Sequence, residues 1–121
     1  KKIGAVQLEL VTDTAKVEAG KPFLAGVHFR IDPKWDIYWQ FEGGIGQPTS
    51  VEWELPAGFK AGPLRWPVPR AHEAPTGDLN FIYQDEVLLF AEITPPAVLP
   101  AGPLAINQHV RVFMRQREAA P

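Results

Sequence analysis

Histidine and carboxylate side chains are the residues of this chain best suited to catalysis or metal binding, and their spacing predicts neither. None of the three histidines, His28, His72 and His109, lies within five residues of another, as local metal-binding motifs usually require. His28 and His109 fall on outward faces of predicted strands and could meet only across strands, so we interpret them as surface residues. Glu73 and the pair Asp85-Glu86 give a very weak acid–base signal, because the sequence fixes no distance between them. We therefore predict no metal site and no cofactor.

Aromatic residues form the most informative cluster of the sequence. Trp35, Tyr38, Trp39 and Phe41 fall within seven residues. Such a cluster either packs the core or offers ring surfaces to a ligand. Packing is the commoner role of large aromatic side chains, so we interpret the tryptophans of the chain mainly as core or half-buried residues. The alternative is a carbohydrate-binding module in which Trp35, Trp39 or Trp66 stacks on sugar rings.

Length and composition bound the architecture that carries these residues. With 121 residues the chain is predicted to form one domain, 1–121, around a single core. Thirteen prolines and ten glycines fit turns and strand ends better than helix interiors, which favours an all-β protein. A net charge of −2 without a basic stripe argues against nucleic acid as a partner. No apolar stretch is long enough to span a membrane, and the first residues lack the apolar region of a signal peptide, so an exported protein must have lost its signal.

Alternation of apolar and polar residues predicts the strands. The predicted strands are residues 6–10, 23–31, 35–39, 50–55, 80–83, 86–93 and 104–114. The segment 23–31 should be a central core strand with Phe29 facing inward, and Trp53 should be a core residue of the facing sheet. The nearly continuous apolar run at 86–93 predicts a strand buried on both faces. The spacing of these strands predicts an immunoglobulin-like β-sandwich of about seven to nine strands.

Several motifs, in order along the chain, resemble one known family. They are PKWDIYW at 33–39, GQPT at 46–49, EWELPAGF at 52–59, AGPLRWP at 61–67, NFIYQDEVLL at 80–89 and ITPP at 93–96. These motifs are similar to the N-terminal periplasmic domain of DsbD-type thiol:disulfide interchange proteins, particularly the branch that includes the copper-sensitivity suppressor ScsB. The family fold is an immunoglobulin-like sandwich, which agrees with the prediction from strand periodicity.

The resemblance implies a place in an electron relay. In this family the domain is periplasmic, receives electrons from a transmembrane part through a thioredoxin-like domain, and passes them to periplasmic oxidoreductases. The implied partners are thus thioredoxin-like oxidoreductases, the implied location is the periplasm as part of an inner-membrane protein, and the ScsB branch implies copper tolerance. The reaction is thiol–disulfide exchange, in which a thiolate attacks a disulfide sulfur.

The two family cysteine positions fall, by ungapped counting, on Arg115 and Ala119. Neither side chain can act as a nucleophile, and the chain contains no cysteine at all. Two explanations are open: a natural paralogue that lost its redox activity, or a segment whose identity here differs from that of the active protein. We favour the first, which predicts a non-catalytic interaction domain. The alternative is an active interchange domain whose thiols are not represented in this chain.

A partner-binding surface is predicted from the same resemblance. In the family, aromatic residues near Tyr38 and a loop before Tyr83 shield the thiols until a partner arrives. Tyr38, Phe81, Tyr83 and Arg115 are the predicted partner-binding residues, with ordinary packing as the alternative role for the aromatic side chains.

Overall fold

The computed structural model describes residues 2–39, 49–73, 77, 79–102, 104–112 and 114–116, with only the backbone described for His72, Asn80, Arg115 and Gln116. Within these ranges the chain forms strands and turns. None of the described residues forms a helix that could cross a membrane.

Eleven antiparallel strands are found in the described part of the chain. They are β1 (Lys2–Ile3), β2 (Val6–Thr12), β3 (Phe23–Ile31), β4 (Trp35–Tyr38), β5 (Ser50–Glu54), β6 (Lys60–Ala61), β7 (Arg70–Glu73), β8 (Leu79–Tyr83), β9 (Glu86–Thr94), β10 (Asn107–Arg111) and β11 (Met114–Gln116). They form a five-stranded sheet of order β1-β2-β3-β9-β6, a four-stranded sheet of order β11-β4-β8-β7, and the pair β10-β5. The count exceeds the seven to nine predicted because β1 and β6 have two residues each, too few to show any periodicity.

Strand β3 is the centre of the five-stranded sheet, as predicted. It pairs with β2 on one side and β9 on the other, so that Phe29 lies opposite both Leu8 and Val87. Its inward side chains are buried, because directly opposite residues on antiparallel strands share one face and add to the same apolar layer. Phe29 itself is completely buried.

Strand β9 is buried on one face, so the prediction of a strand covered on both faces is wrong. Val87, Leu89, Ala91 and Ile93 are buried, whereas Leu88 is 41% exposed. The outer face of the sheet carries apolar residues, so the sequence reads as continuously apolar although only alternate residues enter the core.

The last predicted strand, 104–114, is divided between two sheets. Strand β10 pairs with β5, whereas β11 pairs with β4 in the four-stranded sheet. A period-two pattern persists across such a change, because each strand presents its apolar side chains to the same core. Periodicity alone therefore did not reveal the break.

Two packed clusters hold the sheets together. The larger contains buried residues of β2, β3 and β9 together with Ile37 of β4 and Tyr83 of β8, so the five-stranded and four-stranded sheets face each other across it. The smaller contains Phe23, Phe59 and Ile93 at the other end of β3 and β9. The result is the two-layered all-β sandwich predicted from the sequence.

Candidate functional site

The three strands that carry the predicted partner-binding residues are neighbours in the four-stranded sheet. Strand β4 lies between β11 and β8. Arg115 of β11 lies opposite Asp36 of β4, and Tyr38 of β4 lies opposite Ile82 of β8. Because adjacent strands are about 5 Å apart, the strands that carry Arg115 and Tyr83 are separated by about 10 Å. The sheet thus brings together chain segments that are far apart in sequence.

Alternation along the strands separates the two tyrosines. Tyr83 lies opposite Ile37, the residue before Tyr38, so the side chains of Tyr38 and Tyr83 lie on opposite faces of the sheet. Both are buried, at 7% and 6% exposure. Phe81 is half-buried and meets the edge of the Trp39 ring, with the ring centroids 5.6 Å apart. These aromatic residues do not form one exposed ring surface, and their role in partner binding stays a prediction.

Tyr83 holds the connection before β7 against the sheet. Its hydroxyl donates a hydrogen bond of 2.6 Å to the carbonyl oxygen of Pro67. Its ring stacks on Trp66, with centroids 6.4 Å apart and an angle of 14° between the planes. Burial raises the pKa of Tyr83 from 10.0 to about 12, because the phenolate would lose its hydration. The hydroxyl therefore stays protonated and donating at neutral pH.

An open depression of about 400 Å³ lies beside β8 on the surface. Val68 lines it and is 93% exposed. Its rim carries two polar pairs: Arg70 Nη1 donates to Gln84 Oε1 at 3.0 Å, and His28 Nε2 lies 3.2 Å from Glu86 Oε2. Val68 is a single exposed apolar side chain among polar neighbours, and single exposed apolar residues are common on protein surfaces.

Of the two family cysteine positions, only Arg115 lies among the described residues. Arg115 is in the middle of β11, and Asp36 opposite it is completely buried. Ala119, like Phe41 of the aromatic cluster, lies outside the described residues. No cysteine occurs anywhere in the chain, so no thiol is available at either position.

The histidines have separate carboxylate neighbours. His28 of β3 lies beside Glu86, whereas His109 of β10 has its Nε2 atom 2.7 Å from Glu54 Oε1. The two histidines thus occupy different sheets, and the possible meeting across strands does not occur. Within the described ranges no three His, Asp or Glu side chains are close enough together to hold a metal ion.

The four tryptophans are half-buried and pack against the core. Trp35, Trp39 and Trp66 contact the larger cluster, and Trp53 contacts both clusters. This agrees with the packing interpretation for the tryptophans as a group, but Trp53 is less buried than the core position predicted for it. A carbohydrate-binding platform requires exposed indole faces, so the arrangement does not favour that alternative.

Two contacts near the predicted site were not foreseen from the sequence. They are the stack of Trp66 on Tyr83 and a hydrogen bond from the backbone N–H of Ala5 to the sulfur of Met114. Both join segments distant in sequence, and neither belongs to a spacing motif. The only sequence signals were the residue types, a tryptophan before a proline and a single methionine.

Comparisons with known proteins agree with this architecture. Residues 6–113 match the family model described as thiol:disulfide interchange protein DsbD, N-terminal. The structure is similar to the crystal structure of the N-terminal periplasmic domain of ScsB from Proteus mirabilis, with a TM-score of 0.58 and 16% sequence identity. That similarity covers 93% of this chain and 45% of the ScsB chain, so this chain spans less than half of it.

No curated protein sequence matches this chain. The structural similarity confirms the all-β, immunoglobulin-like sandwich predicted from strand periodicity. The family match covers most of the residues and agrees with the motifs quoted from the sequence. The chain therefore belongs to the family of N-terminal domains of DsbD-type thiol:disulfide interchange proteins.

Proposed function

We propose that this domain is a redox-inactive interaction module of a periplasmic thiol:disulfide interchange protein, and that it binds thioredoxin-like oxidoreductases without exchanging disulfides with them. The single observation that carries the proposal is the absence of cysteine from a member of a family whose chemistry needs it. The periplasm, a tether to a membrane domain of the same parent protein and a role in copper tolerance belong to the proposal. The similarity to a periplasmic domain of ScsB supports the location.

The chemistry of disulfide exchange explains why we propose partner binding without catalysis. A thiolate attacks one sulfur of the partner disulfide and forms a mixed disulfide, and a second thiolate resolves it, so two electrons move from dithiol to disulfide. Arg115 supplies a cation with five N–H donors, and Ala119 supplies a methyl group. Neither provides the sulfur that both steps require.

The proposed docking surface lies where β11, β4 and β8 are adjacent. Arginine is enriched at binding hot spots, because its guanidinium donates to carboxylate or carbonyl oxygens and also stacks on aromatic rings. The depression lined by Val68 extends the surface beyond β8 with an exposed apolar residue. A partner that covers both would contact β11 at the position where the resemblance places the first family cysteine.

A calorimetric titration with periplasmic thioredoxin-like domains tests the binding. We expect Arg115→Ala to weaken binding at least about tenfold, which equals ~1.4 kcal/mol. Arg111→Ala is the matched control, because Arg111 is an exposed arginine at the end of β10 in a different sheet, and it should bind as the wild type does. Because Tyr38 is buried, an alanine variant would also lose packing. Tyr38→Phe keeps the ring and tests the hydroxyl alone. Absent binding, or binding indifferent to Arg115→Ala, contradicts the proposed surface.

A mixed-disulfide assay tests the redox part of the proposal. The wild-type chain should form no covalent adduct with a thioredoxin-like partner, whereas the double variant Arg115→Cys with Ala119→Cys should form one. If the double variant binds the partner but does not react, the family cysteine positions are placed wrongly. The alternative of an active domain with thiols outside this chain predicts exchange by the parent protein, with the cysteines mapped outside residues 1–121.

A further inference from the structure

Met114 is the only methionine of the chain and makes an unusual backbone contact. Its sulfur accepts a hydrogen bond of 3.3 Å from the backbone N–H of Ala5, a residue 109 positions away. Ala5 is buried and belongs to the turn between β1 and β2. A thioether is a weak hydrogen-bond acceptor. Because Ala5 is buried, its backbone N–H has few other possible acceptors, and the Met114 sulfur satisfies it.

Met114 lies close to Gly4 in this turn. Gly4 has a φ of +55°, and a β-carbon built there would lie 2.9 Å from the Met114 sulfur and 3.1 Å from its terminal methyl group. Such a separation is shorter than the usual distance of about 3.5–4.0 Å between packed atoms, so a side chain at residue 4 would require the flexible end of Met114 to shift. The missing side chain of Gly4 is what leaves room for the thioether.

This contact adds to the strand pairing and core packing that hold β11. The strand pairs with β4 over only three residues, Met114 opposite Ile37 being the first. Met114 also packs against the larger core cluster. Arg115 follows directly, so whatever displaces Met114 displaces the backbone that carries Arg115.

We infer that Met114 is an oxidation site, and that conversion of its thioether to the sulfoxide releases β11 from the β1–β2 turn. The oxidant is a small peroxide such as hydrogen peroxide. A sulfur lone pair attacks one peroxide oxygen, the S–O bond forms as the O–O bond breaks, and the leaving hydroxide takes up the remaining proton to give water. The sulfur is oxidised by two electrons and the peroxide is reduced by two.

Access and fit both support this site. Met114 is half-buried, so a small oxidant can approach part of its side chain without unfolding of the domain. Oxidation uses a sulfur lone pair, and a hydrogen bond of about 2.9 Å from Ala5 N to the new oxygen would require the sulfur to move farther away than its present 3.3 Å. The sulfoxide would also place a polar group against an apolar cluster.

Peroxide treatment followed by peptide mapping and thermal unfolding tests the inference without any partner protein. We expect Met114 of the folded wild type to gain one oxygen and the melting temperature to fall by at least about 3 °C. Hydrogen exchange of the β11 amides should speed up at least about tenfold. Methionine sulfoxide reductases should reverse both changes.

Met114→Leu is the matched control, since leucine has similar size and no oxidisable sulfur. Its melting temperature should not change with peroxide, which excludes oxidation of the four tryptophans as the cause. The inference is overturned if Met114 reacts only after denaturation. It is equally overturned if the oxidised wild type keeps the melting temperature and β11 exchange of the untreated protein. Neither outcome bears on partner binding, so this test is independent of the proposed function.

Discussion

The two facing sheets differ in the length of their strand pairing and in the contacts that hold their strands. In the five-stranded sheet, β3 and β9 have nine residues each and pair along eight consecutive positions. In the four-stranded sheet, β11 has three residues and pairs with β4 at three positions, while β4 and β8 pair at two. A long ladder positions side chains by repetition of one hydrogen-bonding pattern. A short ladder needs individual side-chain contacts, such as those of Tyr83 and Met114.

Because of this difference, the two sheets should differ in their resistance to local opening. Long ladders with a continuous buried face resist local opening, whereas short strands open at lower free energy. The predicted partner-binding residues all lie on short strands, which are β4 for Tyr38, β8 for Phe81 and Tyr83, and β11 for Arg115. A domain that binds another protein through adaptable residues is expected to keep them on such elements, with the long sheet as the rigid support.

The largest expected effect is loss of packing in the long sheet. Phe29→Ala should lower the free energy of unfolding by about 3–5 kcal/mol, because Phe29 is completely buried between β2 and β9. Urea melts measure the change. Trp53→Ala should cost less, since Trp53 is only half-buried. Equal losses at both positions would mean that Trp53 of the β10-β5 pair contributes as much to the core as Phe29 of the long sheet.

Neighbouring leucines of β9 provide a matched pair for the burial of its faces. Leu89→Ala should cost about 2–5 kcal/mol, because Leu89 is completely buried. Leu88→Ala should cost less than about 1 kcal/mol, because Leu88 is 41% exposed on the outer face. Similar losses for the two variants in urea melts would show that β9 is covered on both faces, as its sequence predicted.

The long sheet could be predicted from sequence because its signal is repeated. Phe23, Ala25, Val27, Phe29 and Ile31 give five inward residues in one strand, and the structure buries all of them. One-sided burial of β9 could not be predicted, because Leu88 and Phe90 are apolar on the outer face as well. Arg65 covers the Phe90 ring at 5.6 Å, a contact that no local pattern reveals.

The short sheet was predicted less completely for a physical reason. β4 and β8 were predicted as short strands, but β7 lies in a proline-rich segment and β11 continues the alternation of β10. The pairing of Arg115 with Asp36 depends on which sheet the chain enters after β10. That choice is made by tertiary contacts, including the one between Met114 and Ala5.

In the short sheet, loss of a single side-chain contact should be measurable. Tyr83→Phe removes the donor to the Pro67 carbonyl and should lower the free energy of unfolding by about 1–2 kcal/mol at neutral pH. Tyr83 should also contribute a pH dependence. Because folding raises its pKa from 10.0 to about 12, its contribution is fully present below pH 10 and is lost as the pH rises through 12.

The pH dependence is measured as the difference between wild type and Tyr83→Phe in urea melts at several pH values. The wild type should lose stability more steeply between pH 10 and 12 than the variant, since the other titrating groups are common to both. Parallel curves for the two proteins would show that Tyr83 ionises equally easily in the folded and unfolded states.

The smallest expected effect isolates the contact between Gly4 and Met114. Gly4→Ala and Gly20→Ala both place alanine at a positive φ, +55° and +69° respectively, and each should cost about 1 kcal/mol for the backbone alone. A β-carbon at Gly20 would meet nothing within 4 Å, whereas one at Gly4 would meet the Met114 sulfur at 2.9 Å. Gly4→Ala should therefore be the more destabilising, by less than about 1 kcal/mol, because the end of a methionine side chain is flexible and shifts at low cost. In urea melts, a loss at Gly4 equal to that at Gly20 would show that the Met114 contact adds nothing to the short sheet, and that the three-residue ladder of β11 is sufficient to hold it.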